Sequence, residues 1–396
     1  MDKIEELLTR GVENIYPNRD ALDKILKGNK KIRLYNGIDP TGPLHIGHLV
    51  VLKKLRQFQD LGHEVIVLIG DFTAQIGDPT DKASARKKLS IEQVKKNAQN
   101  YKQLISKILD VNKNNFKFLY NAEWTNRLKI VDVLELASHF TVQQLIERDM
   151  FQERIKTGKE IYLSEFMYPI FQSYDAVTMG VELQVGGNDQ TFNMLSGRHL
   201  MKKLKDREQF VMSLKLLTDP NGKKMGKTEG NIIMLEDSPE NIYGKVMSFP
   251  DKLILVGFEI LTDVSNDEID KMKGQISQGE NPRDFKARLA FELVRQLHSS
   301  EAATGAQEGF KKTFRDKQVP ENIREVKASA NKLAISQALI EFELAPSKSQ
   351  AQRLVEQGGV KIDGEAINDS FYEIEFSKPV IIQVGKLNFV RVLPHD

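Results

Sequence analysis

The chain has 396 residues, no cysteine, and 57 basic against 55 acidic side chains, for a net charge of +2. That length implies two or three domains with ample core. The missing cysteines exclude disulfides and thiolate metal sites and fit a reducing cytosol, and the near-neutral balance confines nucleic-acid binding to local patches. The opening Met1-Asp2-Lys3-Ile4-Glu5-Glu6 carries acids and no long apolar stretch, so no secretory signal is expected. The longest apolar run, Val65 to Gly70, is far too short to span a bilayer.

In chain order, Ile32 to Ile38 predicts a strand ended by the turn Asp39-Pro40-Thr41-Gly42-Pro43. From Leu44 the period becomes helical, with Leu49, Leu52, Leu55 and Phe58 near one face and Gly62 as the stop. Glu64 to Ile69 reads as a buried parallel strand. Ser90-Ile91-Glu92-Gln93 is a capping box opening an amphipathic helix through Val94, Ala98, Tyr101, Leu104, Ile105 and Ile108. Phe116–Tyr120 predicts a strand, and residues 125–180 a mostly helical stretch broken near Thr157-Gly158-Lys159. Strands follow at Val181–Val185 and Phe210–Leu214. This alternation predicts a doubly wound parallel sheet, with ligands outside the carboxyl ends of the strands. From Ser238 the pattern is helical, with Asn281-Pro282 breaking it before a helix from Phe285 to His298. Lys311–Ser329 is polar and charged and reads as a linker. A small unit follows, with helices capped around Ser347, a Gly358-Gly359 stop, and short strands near Val360, Ile374, Val380–Val384 and Phe389–Val392.

Two signals carry the chemistry. In Pro43-Leu44-His45-Ile46-Gly47-His48 the two histidines share one side of a first helical turn, and Gly47 admits a flat base or ribose close to the backbone. Free N–H groups there favour an anion. A bare H-x-x-H is more often a surface pair or half a metal site, but the strand, turn and glycine together favour a nucleotide. The second signal is Lys223-Lys224-Met225-Gly226-Lys227-Thr228. It is weak alone, being open to reading as a solvated basic loop, and lacks the upstream glycine of a P-loop.

His45-Ile46-Gly47-His48 resembles the HIGH signature of class I aminoacyl-tRNA synthetases, and Lys224-Met225-Gly226-Lys227-Thr228 resembles their KMSKS loop, with Gly226 and Thr228 in place of two serines. Tyr168-Pro-Ile-Phe-Gln172-Ser-Tyr-Asp175 resembles the amino-acid pocket of tyrosyl-tRNA synthetases, and Leu183-Gln184-Val185-Gly186-Gly187-Asn188-Asp189-Gln190 their adenylate-binding strand end. The C-terminal unit resembles the S4 RNA-binding domain of the bacterial enzymes.

The resemblance implies three parts: a Rossmann-like catalytic domain over residues 1–230 with a dimer-forming insertion at about 125–165, an α-helical domain over 231–325, and an S4-like α+β domain over 331–396. It implies tyrosine activation with ATP, followed by transfer to tRNA(Tyr). Tyr35 and Asp175 would pair with the substrate hydroxyl, Asp78, Tyr168 and Gln172 with the ammonium, and Gln190 with the carboxylate side. Asp189 would take the ATP ribose, with Gly37, Asp39, Gly47, Gly187 and Met225 lining the cleft. His45, His48, Lys82, Arg86, Lys224 and Lys227 would stabilise charge on the phosphates. Mg²⁺ would arrive with ATP, with no protein-bound metal or organic cofactor. Residues 331–396 hold seven Lys/Arg against nine Asp/Glu, so an RNA surface must be a patch, for which Lys348, Arg353 and Lys361 are the candidates. The resemblance implies a homodimer through Phe140–Ile161, with Val142, Leu145, Ile146, Met150 and Phe151. A tryptophan–tRNA ligase and a non-catalytic RNA-binding protein are the rival readings. The Tyr35/Asp175 pair and the C-terminal unit argue against the first, and the intact histidines and lysines against the second.

Overall fold

The computed structural model describes residues 2–28, 30–78, 89–218, 232–315, 324–385 and 388–395. They fall into two compact units, residues 1–303 and 304–396.

The first unit is built on six strands: β1 (Val12–Tyr16), β2 (Arg33–Ile38), β3 (Glu64–Ile69), β4 (Phe116–Tyr120), β5 (Leu183–Gly187) and β6 (Phe210–Leu214). Their order across the sheet is β1-β6-β5-β2-β3-β4. All neighbours are parallel except β1, which lies antiparallel on β6. Chain order runs outward from β2 in one direction to β3 and β4, and from β5 in the other to β6. The carboxyl ends of β2 and β5 therefore form the switch point, where crossover helices part and leave a crevice. β3 and β6 are buried almost throughout, as expected of apolar runs covered on both faces.

The expected strands at β2, β3, β4 and β6 are present, and β5 starts two residues later than its pattern suggests. β1 has no counterpart among the expected strands because Val12-Glu-Asn-Ile-Tyr16 is a short, half-exposed edge strand whose apolar residues do not alternate. The expected continuous helix from Ile91 to Ile108 is two pieces, Ile91–Ala98 and Tyr101–Ile105. The helix after β2 begins at Ile46 rather than Leu44, because His45 is its N-cap. The insertion before β5 is a set of helices, Ile130–Ser138, Val142–Ile146 and Asp149–Lys156, ending at Thr157-Gly158, with Gly158 in the left-handed region. Within it Leu145 and Phe151 face the core, whereas Val142 is 64% exposed.

The later helices belong to the same unit as the sheet. The buried Arg10 guanidinium donates to the carbonyls of Glu259 (2.8 Å), Phe258 (3.1 Å) and Thr262 (2.8 Å). Lys53 Nζ reaches Asp263 at 2.5 Å and Gln296 at 2.6 Å. Asn281 caps the helix Pro282–Leu297, with Pro282 at its first position, where a missing N–H costs nothing.

In the second unit a five-stranded sheet has the order β10-β9-β12-β13-β7, from β7 (Arg324–Lys327), β9 (Val360–Ile362), β10 (Glu365–Ile367), β12 (Val380–Val384) and β13 (Asn388–Leu393). A two-stranded pair joins β8 (Lys332–Ala334) and β11 (Glu373–Glu375). Helices Ile335–Glu341 and Lys348–Glu356 pack on a core that includes Leu339, Phe342, Val355, Phe376 and Ile382. The expected linker at Lys311–Ser329 needs correction at both ends. The helix Ser300–Arg315 runs into it, and Arg324–Lys327 forms β7, which joins the sheet parallel to β13. The charged sequence Arg324-Glu-Val-Lys327 has only one apolar residue, so its pairing is invisible without the partner strand.

Candidate active site

A cleft of about 410 Å³ opens at the switch point. Its floor comes from the ends of β2 and β5, one wall from the turn Asp39–His45, and the other from the helices Leu163–Met179 and Thr191–Lys205.

At one end lie Tyr35 and Asp175. Both are buried, and the Tyr35 hydroxyl has no hydrogen-bond partner of good geometry, with Gln184 beside it. Burial, followed by the Asp175 charge, raises the Tyr35 pKa well above that of a free phenol. The Asp175 carboxyl accepts from Asn121 Nδ2 (3.1 Å) and Trp124 Nε1 (2.7 Å). Burial nonetheless pushes its pKa up to about 7, outweighing those two donors.

A second group surrounds Asp39. Its Oδ1 accepts from the Thr73 hydroxyl at 2.7 Å and its Oδ2 from the Tyr168 hydroxyl at 2.9 Å. Asn121 Nδ2 also donates to Thr73 Oγ1 at 3.1 Å, linking this group to Asp175. Gly70 makes the arrangement possible: a Cβ there would fall on the Asp39 carboxylate and the Thr73 hydroxyl. Asp78 is held by Gln190 Nε2 at 2.8 Å and by Arg148 at 3.5 Å, and Gln190 Oε1 accepts from Asn193 at 2.9 Å. Gln172 Oε1 is buried without a partner.

The third group is the start of the helix Ile46–Asp60. His45 Nδ1 accepts from the Gly47 N–H at 3.1 Å, and His48 Nδ1 from the His45 N–H at 3.1 Å. The rings lie 4.1 Å apart between centroids. An Nδ1 that accepts leaves the proton of a neutral ring on Nε2, so both imidazoles are Nε2–H donors. Burial, then the neighbouring His45, lowers the His48 pKa to about 3, so it is neutral at physiological pH. A Cβ on Gly47 would press on the His45 ring at 2.9 Å.

Among the described residues lining the cleft none is lysine or arginine. Lys82 and Arg86, in residues 79–88, and Lys224, Met225 and Lys227, in residues 219–231, lie outside the described residues. The described flanks of both stretches line the cleft: Asp78 before the first, Leu217 and Ile232 around the second. Tyr35, Gly37, Asp39, His45, Gly47, His48, Asp78, Tyr168, Gln172, Asp175, Gly187, Asp189 and Gln190 all line it. Lys348, Arg353 and Lys361 are exposed on the second unit, two on the helix Lys348–Glu356 and one on β9. Sequence reasoning missed Gly70, Thr73, Asn121, Trp124, Arg148 and Gln184. For Gly70, Thr73, Asn121 and Trp124 the one available signal was their position just beyond strand ends; Arg148 lies in the helical insertion and Gln184 inside β5.

Residues 27–315 match the family model of the class I tRNA synthetases (W and Y), and residues 315–392 match the tyrosine–tRNA ligase SYY-like C-terminal domain. The fold and cleft thus define a class I tRNA synthetase of the tryptophan and tyrosine group. Within that group the chain belongs to the tyrosine–tRNA ligase family. It is 42% identical over 400 residues to the tyrosine–tRNA ligase of Carboxydothermus hydrogenoformans, covering 98% of this chain and 97% of that one. It is 43% identical over 390 residues to that of Thermotoga maritima, covering 98% and 96%. In fold it resembles a C-terminally truncated mitochondrial tyrosyl-tRNA synthetase from Aspergillus nidulans (TM-score 0.68, 23% identity, 79% of this chain and 94% of that one). It also resembles the Archaeoglobus fulgidus tyrosyl-tRNA synthetase complexed with L-tyrosine (TM-score 0.61, 23% identity, 77% and 100%). Both the second domain and the relatives set aside the tryptophan reading.

Two predictions follow from the geometry of the cleft. Gly70→Ala should weaken tyrosine binding at least about tenfold, because Asp39 or Thr73 must move, while circular dichroism stays native. Equilibrium dialysis with labelled tyrosine measures it. Asp175 has a folded pKa raised to about 7, so its contribution to stability is full below its unfolded pKa of about 4, is lost as pH rises from there to about 7, and is level above. The melting temperature of the ligand-free parent minus that of Asp175→Asn should therefore fall between about pH 4.5 and 7 and level off above.

Proposed function

We infer that the cleft binds L-tyrosine and ATP, forms tyrosyl-adenylate with release of pyrophosphate, and passes the tyrosyl group to the 3′-terminal ribose of tRNA(Tyr). The observation that carries this reading is the unpartnered, buried Tyr35 hydroxyl beside Asp175. A phenol supplies the missing donor and acceptor there. Phenylalanine would leave the Tyr35 hydroxyl unsatisfied, and this enzyme family is the usual illustration of that penalty.

Tyr168 gives its proton to Asp39, so its oxygen still accepts from the substrate ammonium. Gln172 Oε1, also unpartnered, accepts beside it, and Asp78 supplies the negative charge. Gln190 holds Asp78 in the ligand-free cleft and lies on the carboxylate side of the substrate. Asp189, with Gly37, Gly47 and Gly187 around it, receives the nucleoside.

A carboxylate oxygen of tyrosine attacks the α-phosphorus in line. The bond to the bridging oxygen breaks, and pyrophosphate leaves with the electron pair, so no protein nucleophile takes part. The neutral His45 and His48 donate from Nε2 to phosphoryl oxygens. Because these rings carry no charge, the cationic balance rests on Lys82, Arg86, Lys224 and Lys227. Asp39 and Asp78 are already engaged by donors, which fits magnesium held by phosphate oxygens rather than by a protein cage. In the second step the ribose hydroxyl attacks the adenylate carbonyl and AMP leaves. The enzyme works in the cytosol.

The protein is a homodimer through the helical insertion, where Ile130, Val131, Leu134, Val142 and Leu163 are each more than 60% exposed. Sedimentation at micromolar concentration should give a two-chain species.

Amino-acid-dependent pyrophosphate–ATP exchange across the twenty amino acids should respond to tyrosine alone. His48→Asn should lower the rate of adenylate formation about 10- to 100-fold, with tyrosine affinity nearly unchanged, because the donor acts on charge developing in the transition state. Exchange driven by tryptophan, or by no amino acid, would refute the reading.

The second unit, through Lys348, Arg353 and Lys361, holds tRNA by phosphate and shape contacts. Because β7 belongs to its sheet, a cut that removes the whole sheet falls between Arg315 and Arg324. The shortened chain should retain exchange and show a raised KM for tRNA, and the full-length enzyme should lose tRNA affinity steeply with salt. Equal charging by both at limiting tRNA would make this unit structural.

A further inference from the structure

The turn from Asp39 to Leu44 has no regular secondary structure, yet Thr41, Gly42 and Pro43 form part of the cleft wall and lead into His45. Thr41 N–H reaches back to the Asp39 carbonyl at 2.7 Å. Two side chains from the helical pair Ile91–Ala98 and Tyr101–Ile105 hold two of its other carbonyls. Asn97 Nδ2 donates to the Pro40 carbonyl at 2.8 Å, and the Tyr101 hydroxyl donates to the Gly42 carbonyl. Tyr101 is 2% exposed, so packing fixes its ring.

The same segment continues to Lys107, whose Nζ donates to the Leu235 carbonyl at 3.3 Å. Leu235 N–H is bonded to the Leu44 carbonyl at 2.9 Å, and Ile46 N–H to the Ile233 carbonyl at 2.9 Å. One helical segment therefore touches the turn before His45 and the stretch that follows residues 219–231. It is itself the continuation of the chain after residues 79–88.

We propose that Tyr101 and Asn97 are positioning residues for the nucleotide half of the reaction. They tie the carbonyls of Pro40 and Gly42 to protein donors, so that those partial negative charges do not turn toward a polyphosphate and His45 is delivered in a fixed place. A preorganised wall needs no rearrangement as charge develops on the phosphoryl oxygens. Through Lys107 the segment also sets the separation between this turn and the strand-like stretch 232–235. This inference rests on the reading of the His45–His48 turn as the phosphate side of the cleft.

The test uses full-length enzyme with Tyr101→Phe, Asn97→Ala and the double substitution, alongside His45→Asn. Tyr101→Phe keeps the buried ring and removes one hydrogen bond, so adenylate formation should slow about three- to tenfold, with a larger loss in the double variant. Tyrosine dissociation constants, by equilibrium dialysis without ATP, should stay within about twofold, because the Tyr35–Asp175 end is untouched. A merely structural role would lower the melting temperature while leaving the rate per folded enzyme unchanged, or would weaken tyrosine and nucleotide use alike; either result overturns the proposal. Asn97 is half-buried, so Asn97→Ala carries the same readout if Tyr101→Phe folds poorly. An unaffected His45→Asn would instead remove the reading of the turn. A slow His45→Asn beside parent-like Tyr101→Phe and Asn97→Ala would remove this proposal alone.

Discussion

The Asp39 carboxylate ties the site together. It sits just past the end of β2, takes the Thr73 hydroxyl from beyond β3, and takes the Tyr168 hydroxyl from the helix Leu163–Met179. Three elements distant in sequence are thereby fixed around one anion at the switch point of the sheet. The arrangement depends on Gly70, since any larger residue would occupy the space of the carboxylate. A half-buried carboxylate supplied with donors on both oxygens is held in place, and the cleft wall is held with it.

From this centre the site divides into two electrostatic regimes. The end around Tyr35 and Asp175 is buried and carries groups whose burial opposes ionisation. That is a suitable place to read a neutral phenol by hydrogen bonds. The end around His45 and His48 is built from neutral donors locked by the helix start, each ring tied by Nδ1 to the backbone. Burial holds His48 neutral, so it can donate a proton in a hydrogen bond but cannot supply charge. The separation matters for chemistry, because fixed neutral donors cost no reorganisation as charge develops.

The two units use charge differently. From residue 331 onward acids outnumber bases, nine to seven, and the candidate RNA-binding side chains there are exposed rather than built into a cleft. Its core of small and β-branched residues holds short strands together, including β7, which is contributed from before the expected boundary.

The sequence by itself determined the alternating strand–helix pattern, the sheet class, and the histidine and glycine positions at the helix start, because these depend on local periodicity and turn chemistry. Family motifs added the residues of the tyrosine pocket, all of which line one cleft. Tertiary structure alone decided the rest. β1 and β7 are short edge strands without apolar alternation, stabilised by distant partners, so no local pattern marks them. Gly70, Thr73, Asn121 and Trp124 matter only because β3 and β4 end beside β2 and the helix carrying Asp175. Tyr101 read as one apolar position in an amphipathic helix, and only the folded chain brings its hydroxyl to the Gly42 carbonyl. Long-range hydrogen bonds of this kind have no signature in a single sequence, since either partner alone is an ordinary residue in an ordinary element.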